Sequence, residues 1–353
     1  MKKYLTRMGD GSRVEMTKEE LLRDFELGSK DAAGRGKIPE LTSEDYDKLL
    51  EIFTSPFRIV AVEPGNEIVM TDDAGQMRLN TDQMNSGISI MIDPTVSNMV
   101  HERCFCCDTV TLGHVDYSFK PIKPIVSTYQ VMYETMSQNL IAPVFFGAMP
   151  NLGTYYYPDG PCGNPSDLFQ AGKLDEARKA QEDAMEFAIK DGTFIAEKLD
   201  EIGCDGFNLD TVGAAGDADV LASLRTVEYI KKNTKLSVEV GMAGEFILGM
   251  HGGLEYKGTR LAGLYPHQQV KLFEEAGCDI FGPVVNTNSG KSMPWNIARA
   301  VTFIKACSEA ANIPIHPNVG MGVGGVPVCE VPPIDCVTRA SKAIAEIAKA
   351  DGL

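Results

Sequence analysis

Ile202-Gly203-Cys204-Asp205-Gly206-Phe207-Asn208-Leu209-Asp210 reads as the end of a helix running straight into a strand. Gly203 suits the position just past a helix, where a left-handed residue closes the last turn, and Phe207–Asp210 continues as a strand-like run. The same grammar recurs at Ala276-Gly277-Cys278-Asp279 ahead of Ile280–Val285. It recurs again at Ala348-Lys349-Ala350-Asp351-Gly352-Leu353. One such joint is local, but three of them describe a chain that alternates helices with strands.

Outward from these joints, further strand-like runs lie at Ile141–Phe146, Leu236–Val240 and Ile313–His316, with an earlier one at Ser89–Ile92. Between them come helical spacings: Met185, Ala188, Ile189, Ile195 and Leu199, then Val220, Leu224, Val227 and Ile230. Two more follow, Ile297, Val301, Ile304, Cys307 and Ala311, and Val337, Ala340, Ile344 and Ile347. Alternation of this kind requires parallel strands joined by right-handed crossovers. The expectation is an α/β fold, a (β/α)8 TIM-type barrel over residues 85–353 that is incomplete: six βα units, with Asp351-Gly352-Leu353 as the onset of a seventh strand. A doubly wound six-stranded sheet is the alternative, although a terminal strand stub adds nothing to it.

Residues 1–84 read as an N-terminal helical and β-hairpin extension. Thr17-Lys18-Glu19-Glu20 is a capping box ahead of Leu21, Leu22 and Phe25. A second helix carries Tyr46, Leu49, Leu50 and Phe53. Short strand-like runs follow at Ile59–Val62 and Glu67–Thr71, with Asp73-Ala74-Gly75 turning the second into Met77–Asn80.

At 353 residues, 44% hydrophobic and 23% charged, the chain has the balance of a soluble globular protein with a sizeable core. Its net charge of −16 argues against nucleic acid and anionic membranes as partners, since both demand a basic footprint. Met1-Lys2-Lys3 is followed by Tyr4, Thr6, Arg7 and Asp10 instead of an apolar segment, so no targeting peptide is read there. No stretch approaches the length of a membrane span. Nine cysteines, an odd number with Cys204, Cys278 and Cys307 in apolar settings, read as reduced thiols, and a cytoplasmic location is expected.

In a βα barrel the chemistry gathers at the carboxyl ends of the strands. The candidate site residues are therefore Asp210, Glu239, Asn286, Asn288 and His316. Acidic and amide side chains converging on one mouth can hold an ammonium-type substrate and manage its proton. Equally, Asp210 and Glu239 can serve only to satisfy buried neighbours. Gly320–Pro327 has neither the spacing of a dinucleotide fingerprint nor the Lys-Ser/Thr of a P-loop, and reads as a flexible loop at the mouth. His101, Cys104, Cys106, Cys107 and His114 suggest zinc by residue type, but no paired CxxC arrangement supports it. A metal-assisted lyase using Asp210, Glu239 and His316 is a further alternative, without a clear ligand motif.

Longer strings carry a family likeness: Gly113–Pro124 (GHVDYSFKPIKP), Phe145–Asn151 (FFGAMPN), Tyr156–Pro161 (YYPDGP), Asp210–Asp219 (DTVGAAGDAD) and Gly241–Gly252 (GMAGEFILGMHG). It continues through Leu261–Gln269 (LAGLYPHQQ), Phe281–Ser292 (FGPVVNTNSGKS), Trp295–Phe303 (WNIARAVTF), Gly320–Pro327 (GMGVGGVP) and Pro332–Ala343 (PPIDCVTRASKA). These strings resemble the dimethylamine:corrinoid methyltransferases, from the first residues of the chain to the last. The cysteine cluster at 104–107 is not part of that pattern.

The resemblance implies transfer of a methyl group from dimethylamine to the Co(I) corrinoid of a partner protein, giving monomethylamine, in methylamine-dependent methanogenesis or methylotrophic metabolism. It implies no cofactor bound by this chain, the corrinoid being carried by the cognate corrinoid protein. Members of the family contain pyrrolysine, encoded by an in-frame amber codon, directly after the segment matching Asp351-Gly352-Leu353. The 353-residue chain is thus expected to stop before its electrophilic imine and to be inactive in methyl transfer. The alternatives are a non-catalytic termination fragment and a binder of the corrinoid protein. Open barrel edges favour association into a homo-oligomer. The resemblance assigns no role to Asp210, Glu239, Asn286, Asn288 or His316, which rest on strand-end position alone.

Overall fold

The computed structural model describes residues 2–73, 109–113, 144–148, 152–329 and 332–353. It opens with an antiparallel hairpin, β1 (Tyr4–Arg7) and β2 (Arg13–Met16), followed by α1 (Lys18–Gly36) and α2 (Ser43–Thr54). Both helices begin on reciprocal caps. Thr17 accepts from the Glu20 amide while the Glu20 carboxylate accepts from the Thr17 amide, and Thr42 does the same with Asp45. Each cap of this kind is worth roughly 1 kcal/mol, because it satisfies donors that the first turn leaves orphaned. Inside, Phe25 and Phe53 meet edge to face with ring centroids 5.3 Å apart.

The remaining elements alternate. In chain order they are β3 (Met70–Asp73), β4 (Thr109–Gly113), β5 (Val144–Ala148), α3 (Pro165–Gln170), α4 (Leu174–Glu201), β6 (Gly206–Val212), α5 (Asp217–Asn233) and β7 (Ser237–Met242). There follow a small antiparallel pair, β8 (Glu255–Tyr256) with β9 (Thr259–Arg260), then α6 (Pro266–Ala276), β10 (Ile280–Gly282), α7 (Met293–Ala310) and α8 (Ile334–Ala343). A π-turn, Ile344–Ala348, continues α8. The sheet is parallel throughout, in the order β3-β4-β5-β6-β7-β10.

The two ends of that sheet join. Phe281 of β10 pairs in parallel with Ile315, and the amides of Asp351 and Gly352 both donate to the Ile315 carbonyl, at 2.9 and 3.2 Å. Gly352 in turn pairs in parallel with Val69, immediately before β3, and the Leu353 amide donates to the Val69 carbonyl at 2.9 Å. Eight parallel segments therefore form a closed ring. This corrects the incomplete barrel expected from the sequence: Asp351-Gly352-Leu353 is the eighth segment of the ring, not the onset of an unpaired seventh. Two short strands account for the difference. Met70–Asp73 lies beside Thr109–Gly113 in the sheet, in parallel. Thr109–Gly113 itself was not anticipated. The run at Ser89–Ile92, the turn into Met77–Asn80 and the cysteines at 104–107 lie outside the described residues.

The recurring joint has a physical basis. Gly277 closes α6 at φ 100°, and Asp279 then reaches sideways so that its Oδ2 accepts the Val238 amide of the neighbouring strand at 2.7 Å. Asp351 repeats this, accepting the Ile315 amide at 2.8 Å. At this last joint the left-handed residue is Lys349, at φ 57°, and Gly352 lies within the pairing instead. Outward-facing Phe207, Val238, Val240 and Phe281 are fully buried against the helices, Phe281 stacking on Phe273 of α6 at 5.7 Å. Each such side chain contributes roughly 1.5–3 kcal/mol. With both faces of the strands covered, the ring follows the usual logic of parallel sheets.

Candidate active site

Register decides which side chains meet. Asn208 of β6, Glu239 of β7 and Ile280 of β10 are partners in neighbouring strands, so they share one face, and Gly241 pairs with Gly282 one step further along it. On that face His316 Nδ1 donates to Glu239 Oε1, across the intervening strand β10. On β10 the residue beyond Ile280 on this face is Gly282. A Cβ there would come within 2.9 Å of the His316 carbonyl oxygen. Gly241 does the same for Asp210, whose Oδ1 would lie 2.5 Å from an added Cβ. Gly241 thus leaves room inside the ring for the Asp210 carboxylate, and Gly282 lets the His316 backbone come close to β10.

Glu239 is 5% exposed. Burial opposes a charge on the His316 ring, but Glu239, the Leu353 backbone and Asp210 outweigh it and raise the imidazole above its ordinary range. Asp210 is half-buried, with Oδ1 accepting its neighbour Thr211's amide at 2.7 Å. Thr211 sits at φ 54°, in the left-handed region that a β-branched residue avoids, so the strand end beside this carboxylate is strained by about 1–3 kcal/mol. Asn208, 3% exposed, turns an Oδ1 onto the same face with no partner among the described residues.

Two of the five expected residues do other work. Asn286 is exposed, pairs through its backbone with Val323, and its Oδ1 accepts the Glu245 amide at 3.3 Å. Asn288 is exposed and shapes a turn, its Oδ1 accepting the Gly290 amide at 2.9 Å while its own amide donates to Asn296. The structure therefore brings together Asp210, Glu239 and His316 and leaves Asn286 and Asn288 in the loop after β10. The Gly320–Pro327 loop is pinned onto that loop: Gly324 donates to the Val285 carbonyl, and Thr287 to that of Gly322.

Sequence reasoning passed over three buried groups. Arg299 of α7 grips Glu245 with both terminal nitrogens, at 2.7 and 2.5 Å, and reaches Asp31 of α1 through Nε at 2.7 Å. A lone cation inside the apolar run Ile297–Ile304 was the signal for it. Asp219, buried in the first turn of α5, accepts the Gly213 amide at 2.9 Å, and burial pushes its carboxyl up to about 7. Asn208 was hidden by its apolar neighbours Phe207 and Leu209.

Among the described residues no helix is long and apolar enough to cross a membrane. A family model described as Dimethylamine methyltransferase (Dimeth_PyL) matches residues 2–353. Two solved structures overlap loosely. One is inosine 5′-monophosphate dehydrogenase from Legionella pneumophila, at 11% identity and a TM-score of 0.35, over 81% of this chain and 69% of that one. The other is the carboxyl transferase domain of Rhizobium etli pyruvate carboxylase with 3-bromopyruvate, at 12% identity and a TM-score of 0.41, over 94% of this chain and 49% of that one.

Proposed function

The chain belongs to the dimethylamine methyltransferase family, and on that premise we propose that it moves a methyl group from dimethylamine to the Co(I) corrinoid of a partner protein, releasing monomethylamine. The observation that carries the site is the Glu239–His316 couple inside the ring, with Asp210 beside it. Co(I), held by the partner, supplies the nucleophile. The nitrogen must carry positive charge when its methyl carbon departs, because a neutral amine would leave as an amide anion. Dimethylammonium meets this need: it gives up a methyl group without its bonding pair and leaves as neutral methylamine, which then takes a proton.

The chain's own groups suit that demand. Asp210 and Glu239 favour the ammonium form, and the Asn208 Oδ1 offers an acceptor for an N–H. His316, its proton held by Glu239, fixes the carboxylate's direction and can return a proton to the product amine. On this reading, orientation and fixed charge inside the ring are the main sources of rate. The family's pyrrolysine, expected directly after Leu353, would emerge next to His316 at the carboxyl end of the eighth segment.

The test is methyl transfer to the Co(I) state of the cognate corrinoid protein, followed by the cobalt spectrum, with mono-, di- and trimethylamine supplied separately. Dimethylamine is expected to methylate cobalt when the protein carries pyrrolysine, and the 353-residue chain is expected to be silent. Turnover with another amine in preference, or with none, would remove the reading.

A further inference from the structure

On the flank of the ring β1, the end of α2 and the middle of α8 enclose a cleft of about 490 Å3 that shares no residue with the mouth cluster. Six cationic side chains line it: Lys2, Lys3, Arg7, Arg13, Arg58 and Arg339. Asp335 is the sole carboxylate among the described lining residues, and Arg7 already holds it, with Nε at 3.1 Å and a terminal nitrogen at 3.2 Å. The chain as a whole carries −16, so this concentration of positive charge runs against its surroundings.

Arg339 is the informative member. It is 5% exposed, and its Nε has no partner among the described residues. One terminal nitrogen approaches the Phe57 carbonyl at only 3.5 Å, and Asp335, whose charge it feels, is bonded to Arg7. A buried guanidinium with an open donor lowers stability, and an acceptor supplied by a ligand is one way to offset such a cost. Aromatic walls stand beside the charge. The Arg339 guanidinium lies 5.8 Å from the Phe53 ring centre, and Phe57, 70% exposed, and Tyr4 complete an apolar side. The volume is that of a small-molecule site and more than a bare oxyanion needs.

We propose that this cleft binds a small organic phosphate, its phosphate on Arg339, Arg58 and the Lys2–Lys3 pair and its carbon body on Phe53, Phe57 and Tyr4. Guanidinium forks match phosphate oxygens two at a time, and stack on aromatic faces while doing so.

Calorimetric titration of the full protein with phenyl phosphate, inorganic phosphate and phenol tests it. Phenyl phosphate is expected to bind, more weakly as salt rises, with inorganic phosphate weaker and phenol silent. Arg339→Met should weaken phenyl phosphate about tenfold or more, with Tm unchanged or higher because an unpaired buried charge has gone. Arg58→Gln, at an exposed position that folding does not need, should weaken it by a smaller factor. No binding to the unaltered protein, or equal binding to both variants, would overturn the proposal. So would inorganic phosphate binding as tightly as phenyl phosphate, or an acidic peptide displacing it more readily than phosphate esters do. A drop in Tm for Arg339→Met with unchanged affinity would make Arg339 a structural cation.

Discussion

Two buried carboxylates six residues apart on either side of the β7 carboxyl end have opposite characters. Glu245 is gripped by Arg299, whose charge does not titrate in any working range, and through it by Asp31 of the N-terminal helix α1. Glu239 is held by His316, whose charge does titrate. The first arrangement locks: it ties the N-terminal helices to the ring and presents no spare valence. The second can change state, and it lies inside the ring beside Asp210 and the Asn208 amide oxygen, which has no partner among the described residues. An acid locked by arginine reads as architecture, and an acid held by histidine on a glycine-cleared face reads as chemistry. Partner identity separates them where burial, 5% for both Glu239 and Glu245, does not.

The contrast is broken most severely at Arg299. Replacing it by alanine strands the Glu245 charge and should lower unfolding stability by roughly 3–5 kcal/mol in urea titrations. Converting Glu245→Leu and Arg299→Met together should restore most of that loss, since neither buried charge is then left alone. At the other carboxylate, Glu239→Gln keeps shape and should change stability by only about 1 kcal/mol. Methyl transfer by the pyrrolysine-bearing protein should fall by about 10²-fold or more. The same variant should lower the titration midpoint of His316 in proton NMR spectra.

The two sites should also differ in pH response. The folded His316 midpoint lies above its ordinary value, so its contribution is fully present below about pH 6.5 and is lost as pH rises through the raised midpoint. Stability measured for the parent and for His316→Gln should converge as pH rises, while the Arg299→Ala deficit stays constant across that range. Asp219, a third buried carboxylate with no cation bonded to it among the described residues, follows the same sign. Its raised carboxyl stabilises the fold at low pH, and that part is lost as pH climbs through about 7, a slope that Asp219→Asn should flatten. The smallest effect belongs to the surface. Lys257→Ala, between Glu228 and Glu275, should leave Tm unmoved within error.

The sequence made the second half of the ring legible because its strands are long or flanked by marked joints. Phe207–Asp210, Leu236–Val240 and the helices spaced on Val220 and Ile297 all stand where periodicity placed them. The ring's closing segments escaped. Met70–Asp73 reads Met-Thr-Asp-Asp, too polar to announce a sheet strand, and the seventh and eighth segments are secured at little more than Ile315 and Gly352. Pairing so short leaves no period to detect. Strand-end position alone was enough to place Asp210, Glu239 and His316 together, because a parallel ring delivers those positions to one face. It could not tell Asn286 and Asn288 from them, since a residue two or more steps past the strand belongs to the loop's own turn chemistry. Arg299 and Glu245 were beyond reach for a different reason: the pair joins two elements whose contact only the folded ring creates.

Closure through Val69 and Gly352 also bears on how the molecule comes into being. These partners lie far apart in the sequence, so during synthesis the first strand waits with one edge bare until the segment holding Gly352 has left the ribosome. Contacts of that sequence separation are slow to form, and an unpaired edge invites pairing with other chains in the interval. Nascent chains therefore stay open to chaperones and to one another until the Gly352 segment arrives, and the same few residues that finish the ring end that exposure.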